Sequence, residues 1–242
     1  MLELSAWLQR LDGHRVSSGI QITATEHDGV HAVSVHASCN CALDPECGVR
    51  LMIGGLHNLE SYMADYRHCE YWCRPFFGHD PGLVPPETQA LLWKETDGTY
   101  GVLLPVVSEQ YKCVLEGFEE GLSARLFSWY SNLNTCDALA FLTARGENPF
   151  LLLEKCVATG LRLLGNNCLP FSERHYPDMF EYLGWDSRDA LRIRINEEAL
   201  LAKAIELKEK QIPVRWFLLD DMWGEVHEFY GKEYQNYDEM LR

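Results

Sequence analysis

The segments GWDSRDA (184–190) and LDDMWG (219–224) decide the predicted fold, because a helical pattern and an apolar strand lie between them. IPVRWFLL (212–219) is mostly apolar, branched and aromatic, which predicts a strand buried on both faces, as in a parallel sheet. FEYLGW (180–185) has strand composition and precedes the helix. The order strand, helix, strand predicts a βαβ unit.

The ends of the intervening helix carry ordinary capping signals. Asn196 is the predicted N-cap, Glu197 and Glu198 place negative charge in the first turn, and Lys208 and Lys210 lie near the last turn. In parallel βα architectures, ligands bind at the carboxyl ends of the strands. We therefore expect functional side chains at those ends, and the candidates are Trp185, Asp186, Asp189, Asp220, Asp221 and Trp223.

Asp220 and Asp221 are the most informative of these candidates. They directly follow a mostly apolar strand, where an unpaired buried carboxylate would be too costly, so they face solvent, a partner or a ligand. Ionised carboxylates accept strong hydrogen bonds from hydroxyl groups. The alternative is a turn or helix cap at the strand end, and Trp185 and Trp223 are equally compatible with core packing.

Residues 1–147 have the pattern of a β-rich domain. Asp28-Gly29 and Asp97-Gly98 predict hairpin turns, and further strands are predicted at 51–56, 111–116 and 123–130. Short strands at such spacing favour a β-sandwich. The prolines and glycines of residues 75–86 predict a long exposed loop.

In residues 148–178 the apolar side chains recur at the spacing of a helix instead of a strand. A helix is predicted to begin at Pro149 and to end at Gly165, and with the residues that follow it forms a helical linker.

Composition excludes several classes of protein. The 242 residues are 47% hydrophobic and carry a net charge of −15, which argues against nucleic acid or an anionic membrane as a partner. No basic leader or membrane-length apolar run occurs, so a cytoplasmic location is expected. The nine cysteines are then expected to be reduced thiols, and no metal or cofactor is predicted because no paired C-x2-C spacing or phosphate loop occurs.

These segments together resemble glycoside hydrolase family 36, and within it the raffinose synthase and seed imbibition protein group, which is related to the α-galactosidases. EYWCRPFFG (70–78), residues 84–107 and RHYPDMFEYLGW (174–185) extend the resemblance over most of the chain. It implies that Asp220 and Asp221 accept hydrogen bonds from the hydroxyls of a terminal galactosyl ring and that Trp185 packs against that ring. Asp189 and Trp223 belong to the same implied substrate-binding set.

The sequence also departs from the family pattern. GWCSWDA has become GWDSRDA, so that Arg188 replaces a Trp, and DDGWQ has become DDMWG, so that Met222 replaces a Gly. These changes alter the shape and charge of the implied sugar pocket. Arg188 is expected to pair with Asp186 or Asp189, an interaction worth little if it is exposed.

The resemblance implies a retaining mechanism, which needs two carboxylates about 5 Å apart. In the family both lie on later strands of a (β/α)8 barrel of about 250 residues. The segment 184–242 contains only 59 residues, which is enough for roughly two of the eight βα units. The later strands that carry the catalytic pair are therefore not expected in this sequence, and no catalytic residue is assigned. The predicted architecture is a β-sandwich (1–147), a helical linker (148–178) and the start of a truncated barrel (179–242).

The predicted function follows from that architecture. The family hydrolyses α-galactosides such as raffinose or transfers galactosyl groups between them, and this chain is expected to be inactive alone. The expected partners are an α-galactoside and a second chain that completes the barrel. The alternative is a non-catalytic carbohydrate-binding or interaction protein built on the sandwich.

Overall fold

The computed structural model describes residues 2–119 and 121–220, apart from the side chain of residue 193, and the backbone of residues 228–229 and 232–233. The chain divides into two compact units, Met1–Glu173 and Arg174–Arg242. The predicted domain boundaries at 147 and 178 remain predictions.

The first unit is a twelve-stranded antiparallel sheet in the order β2-β1-β5-β11-β10-β8-β9-β12-β4-β3, with β6 on β8 and β7 on β6. The strands are β1 Glu3–Gln9, β2 Arg15–Val16, β3 Ile20–His27, β4 Val30–Ser38, β5 Val49–Gly54, β6 Leu59–Arg67, β7 Cys73–Gly78, β8 Thr88–Glu95, β9 Tyr100–Pro105, β10 Lys112–Phe118, β11 Gly121–Phe127 and β12 Thr135–Gly146.

The sheet curls into a half-barrel around one core. Strands β8 and β10 join at a single residue pair, Leu115 with Thr88, which leaves five strands on one side of the junction and seven on the other. Both sides contribute fully buried residues to the same apolar cluster, among them Leu51, Leu126, Trp93 and Phe141. The predicted antiparallel β domain is therefore present, but one continuous sheet replaces the two separate sheets of a sandwich, because the β8–β10 pair links them.

A helix covers part of the opposite face of the sheet. Helix α1 (Pro149–Leu163) buries Leu152 and Cys156 in a second apolar cluster with residues of β4, β9 and β12. The Asn148 side chain caps the helix by accepting hydrogen bonds from the backbone N–H groups of Phe150 and Leu151 at 3.0 and 3.2 Å. Gly165 follows with φ +62°, the left-handed conformation that ends helices. The predicted helix is confirmed.

The local turn signals were accurate, whereas the proline-rich loop was not. Asp28-Gly29 and Asp97-Gly98 connect β3 to β4 and β8 to β9, as predicted. The loop prediction for residues 75–86 is wrong at its start, because Cys73–Gly78 forms strand β7. Pro75 is accommodated there because β7 lies at an edge and pairs only with β6 in the described part of the sheet. A short 3-10 helix at Pro81–Leu83 follows.

The second unit contains β13 (Gly184–Asp186), α2 (Ser187–Leu191), α3 (Glu197–Glu209) and β14 (Trp216–Leu218), with short 3-10 helices at Asp178–Glu181 and Arg192–Arg194. Strands β13 and β14 pair in parallel with the helices between them, so the βαβ prediction is confirmed. The backbone of β15 (Glu228–Phe229) pairs with that of β16 (Lys232–Glu233). A barrel built on this βαβ unit remains a prediction.

Both predicted strands of this unit are shorter than expected. Residues 178–181 are helical because the turn begins at Pro177, whose carbonyl accepts the Phe180 N–H at 3.0 Å. Burial of 212–219 on both faces is wrong for this chain: Phe217 and Leu218 are 41% and 47% exposed. The reason is that β13 is the only strand paired with β14 among the described residues.

No helix within the described residues is long and apolar enough to cross a membrane.

Candidate functional site

The candidate site lies at the carboxyl ends of the parallel strands β13 and β14. Asp186, the last residue of β13, is in register with Leu218 on β14. Just beyond the strands, the Asp220 backbone N–H donates to Ser187 Oγ at 3.0 Å. Ser187 is fully buried, so this hydrogen bond fastens the end of β14 to the start of α2. The sequence-predicted residues Trp185, Asp186 and Asp220 are thereby brought to one edge of the strand pair.

Close packing of Trp216 on the β13 backbone sets the register of the strands. A Cβ on Gly184 would lie 2.1 Å from the Trp216 indole, so only glycine fits at this position. The indole Nε1–H donates to the Tyr182 carbonyl at 3.2 Å. The first residue of β14 is therefore fixed, and Asp220 follows four residues later.

Trp185 is partly packed and partly accessible. Its ring centroid lies 5.2 Å from that of Phe217 at an interplanar angle of 52°, and the residue is half-buried. The ring therefore packs on the neighbouring strand while the residue stays partly accessible, and a role in ligand binding remains a prediction.

The acidic residues of α2 have different positions. Asp186 is the N-cap of α2, and its side chain accepts the Arg188 backbone N–H at 2.7 Å. This bond satisfies a helix-terminal donor, which is a structural role. Asp189 lies in the first turn of the same helix and is exposed.

Asp220 forms an ion pair across the strand ends. The Arg188 guanidinium lies 3.5 Å from the Asp220 carboxylate, and the two side chains are 57% and 29% exposed. Arg188 thus pairs with Asp220 and not with Asp186 or Asp189 as expected, because α2 begins where β14 ends and Asp186 is engaged as a cap. An acceptor carboxylate beside a five-donor guanidinium offers both hydrogen-bonding roles to a polyhydroxylated ligand.

Sequence reasoning missed Ser187. Its signal was available: the backbone N–H of a residue just past a strand needs an acceptor, and a small hydroxyl at the end of the adjacent strand supplies one. Two other predicted residues, Asp221 and Trp223, lie outside the described residues.

Metal-binding geometry does not occur in the described part of the chain, where no three His, Cys, Asp or Glu side chains are grouped to hold an ion.

The described residues thus form an antiparallel β-sheet unit and, later in the chain, a parallel βαβ unit with acidic and aromatic side chains at its strand ends. The family model described as "Raffinose synthase or seed imbibition protein Sip1" matches residues 16–239. The chain belongs to this family, which confirms the resemblance found in the sequence motifs.

Plant proteins are among its relatives. The chain is 25% identical over 233 residues to a protein from Arabidopsis thaliana named probable galactinol–sucrose galactosyltransferase 1, a match that covers 88% of this chain and 30% of the relative. It is 20% identical over 176 residues to stachyose synthase from Pisum sativum, covering 71% and 20%. The chain therefore spans less than a third of the length of these relatives.

Among solved structures, the α-galactosidase of Thermus thermophilus in complex with stachyose matches with a TM-score of 0.43 and 15% identity, over 86% of this chain and 44% of that one.

Proposed function

We propose that this chain recognises α-galactosides of the raffinose type and forms the sugar-binding edge of a galactosyl-transfer or hydrolysis site. The observation that carries the proposal is the position of Trp185 and Asp220 at adjacent carboxyl ends of a parallel strand pair. Family membership supports it, as do relatives named as a galactinol–sucrose galactosyltransferase and a stachyose synthase.

Each side chain has a role that fits its chemistry. Asp220 accepts hydrogen bonds from galactosyl hydroxyls, and Asp221 is proposed to do the same. The accessible part of Trp185 packs on the apolar face of the ring. Asp189 and Trp223 are proposed to complete the pocket. Arg188 pairs with the Asp220 carboxylate and donates to a sugar oxygen when the ligand binds.

The reaction itself needs groups that we do not assign to this chain. A retaining mechanism uses a carboxylate nucleophile and a carboxylic acid on opposite sides of the scissile bond. By resemblance, both belong to later barrel strands, supplied by a second chain or by further sequence. The exposed apolar side chains of α3 and β14, Leu201, Ile205, Phe217 and Leu218, support a covering of this kind. We propose the cytoplasm as the compartment.

Ligand binding by the purified chain tests the recognition step. Calorimetric titrations with raffinose and with sucrose together isolate the contribution of the galactosyl ring to the binding free energy, because raffinose is sucrose carrying one galactosyl group. We expect raffinose to bind more tightly than sucrose and Asp220→Asn to weaken raffinose binding about tenfold, since a hydrogen bond to a charged group contributes about 1.5–3 kcal/mol. Asp178→Asn, an exposed carboxylate in the same unit, is the matched control and should leave the Kd unchanged.

An activity assay tests the missing catalytic groups separately. The chain alone should transfer no galactosyl group from galactinol to sucrose and should release no galactose from raffinose. Turnover would contradict the absence of the nucleophile while leaving the recognition site intact.

A carbohydrate-binding role for the first unit is the alternative. The observation in its favour is that this unit has its own continuous core. Raffinose binding that is unchanged in both Asp220→Asn and Trp185→Ala would support this alternative and overturn the site proposed at β13 and β14.

A further inference from the structure

Two cysteines of the first unit have their sulfur atoms in contact. Cys39 and Cys41 follow strand β4 as Cys-Asn-Cys, both are half-buried, and their Sγ atoms are 3.4 Å apart. The backbone on either side is anchored, because the Cys39 N–H donates to the Asn134 carbonyl at 2.8 Å and the Leu43 N–H donates to the Leu133 carbonyl at 2.7 Å. The fold therefore holds the two thiols together instead of leaving them on a loose loop.

The surroundings of this thiol pair give its members unequal acidity. The backbone N–H of Cys41 and then its thiol donate to the Cys39 sulfur, and these bonds lower the pKa of Cys39. The same thiol–thiol hydrogen bond raises the pKa of Cys41. Cys39 is therefore the more acidic and more readily ionised thiol of the pair, and Cys41 lies beside it as a hydrogen-bond donor.

Arg10 adds positive charge to the same place. Its charge favours the thiolate at both cysteines. Its buried Nε–H is without a hydrogen-bond acceptor among the described residues, although a terminal nitrogen of the same guanidinium pairs with Asp12. The charge of this guanidinium favours the negative charge that develops when Cys39 ionises.

The buried cysteines differ from this pair in their chemistry. Burial raises the pKa of Cys113, and it raises those of Cys136 and Cys156 to about 12 and about 11, so these three remain protonated packing residues. Burial also raises the pKa of Cys47, the next cysteine along the chain. Among these cysteines, Cys39 has both a lowered pKa and a second thiol within contact distance.

We propose that Cys39 and Cys41 form a peroxide-sensitive modification site that closes reversibly to a disulfide. Cys39 releases its proton, and its thiolate attacks one oxygen of hydrogen peroxide. The O–O bond breaks, a sulfenic acid forms, and the leaving hydroxide takes up a proton equivalent to the one released and departs as water. The Cys41 sulfur then attacks the Cys39 sulfur, the S–O bond breaks, and a second water molecule leaves with the Cys41 proton. Two thiols are oxidised and one peroxide is reduced to two water molecules.

Closing the bond needs only a short movement. A disulfide has an S–S distance of about 2.05 Å, so the sulfur atoms approach by about 1.4 Å. The chain already bends at residues 40 and 41. A disulfide across a single intervening residue is a small, strained ring, and strained disulfides are easily reduced. Reversal by a dithiol reductant is therefore part of the proposal.

Differential alkylation of the native chain tests the site. The chain is exposed to a small excess of hydrogen peroxide, remaining thiols are alkylated, and disulfides are then reduced and alkylated with a second reagent. Proteolysis after Glu46 separates Cys47 from the pair, and mass spectrometry reads each cysteine. We expect Cys39 and Cys41 to carry the second label together, and a dithiol added before alkylation should return both to the first label.

Single-cysteine variants separate the two roles. In Cys41→Ser, Cys39 should proceed to the sulfinic acid because its resolving thiol is absent. In Cys39→Ser, Cys41 should react several-fold more slowly than Cys39 does in the parent chain. Cys168 is the matched control, an exposed cysteine that should not form an internal disulfide. A far-ultraviolet circular dichroism spectrum of each variant establishes that it has folded.

Two results would overturn the proposal. One is oxidation of Cys39 at the same rate as Cys168. The other is disulfide formation by Cys39 or Cys41 with Cys47 in place of each other.

Discussion

Replacing Ser187 by alanine should loosen the end of β14 without removing any side chain assigned to sugar binding. Ser187 is fully buried, and its Oγ accepts the Asp220 N–H at 3.0 Å. Loss of an acceptor for a buried donor costs about 1–3 kcal/mol. Asp220 is itself only half-buried, so water replaces part of the lost bond and the lower end of that range, about 1 kcal/mol, applies.

The assay is hydrogen exchange at the Asp220 amide. A local stability loss of about 1 kcal/mol raises the open population about fivefold, so exchange at this amide should accelerate by the same factor. Raffinose affinity should fall as well, because the backbone that presents the Asp220 carboxylate is less well held.

Ser172→Ala serves as the control, since it removes an exposed serine hydroxyl that donates to Glu154 in the first unit. Exchange at Asp220 should not change in this variant. Equal exchange rates at Asp220 in Ser187→Ala and the parent chain would refute the role of the hydroxyl in holding the strand end.

Two further predictions concern the first unit. Gly101→Ala places a Cβ 2.0 Å from the buried Trp93 indole and should destabilise the chain by about 1–3 kcal/mol, which lowers the melting temperature by about 2–4 °C per kcal/mol. In the control variant Gly121→Ala the new Cβ meets only Met52 at 3.7 Å, so this variant should melt like the parent chain. Equal melting temperatures of the two variants would contradict the packing argument. Burial disfavours the ionised form of Glu87, but the positive charges of Arg67, Lys112 and Arg125 outweigh burial and lower the pKa of Glu87. The ionised Glu87 therefore stabilises the fold above the ordinary pKa of a glutamate, and this stabilisation is lost as pH falls through the lowered pKa. The urea midpoint should therefore fall less on acidification in Glu87→Gln than in the parent chain, and a fall of the same size would show that Glu87 is not a source of the acid sensitivity.

Local signals were the part of the fold that the sequence predicted well. Asn196 caps its helix, helix α1 begins at Pro149, and the Asp-Gly pairs both make hairpins, as predicted, because each feature depends on residues adjacent in the chain. Strand β12, the longest, was not predicted. Its partners β4 and β9 lie distant in sequence from one another, and such pairing leaves no local signature.

The candidate site was predicted to the level of strand ends but not of side-chain partners. Placing Trp185 and Asp220 together required only the rule that parallel strands carry functional residues at their carboxyl ends. The Arg188–Asp220 pair could not be predicted, because the capping role of Asp186 and the exact length of β14 decide it. Both are three-dimensional facts that charge spacing does not contain.

The single-pair junction between β8 and β10 has a consequence for how the protein folds. The chain alternates between the two sides of that junction, so several strands pair with strands that come much later in the sequence. Strand β1 pairs with β5, β5 with β11, and β4 with β12. One side can be completed only after β11 has been synthesised, and the other only after β12 has. Loop closure over such separations slows folding, so we expect a slow folding rate and a late, all-or-none appearance of the sheet on the ribosome.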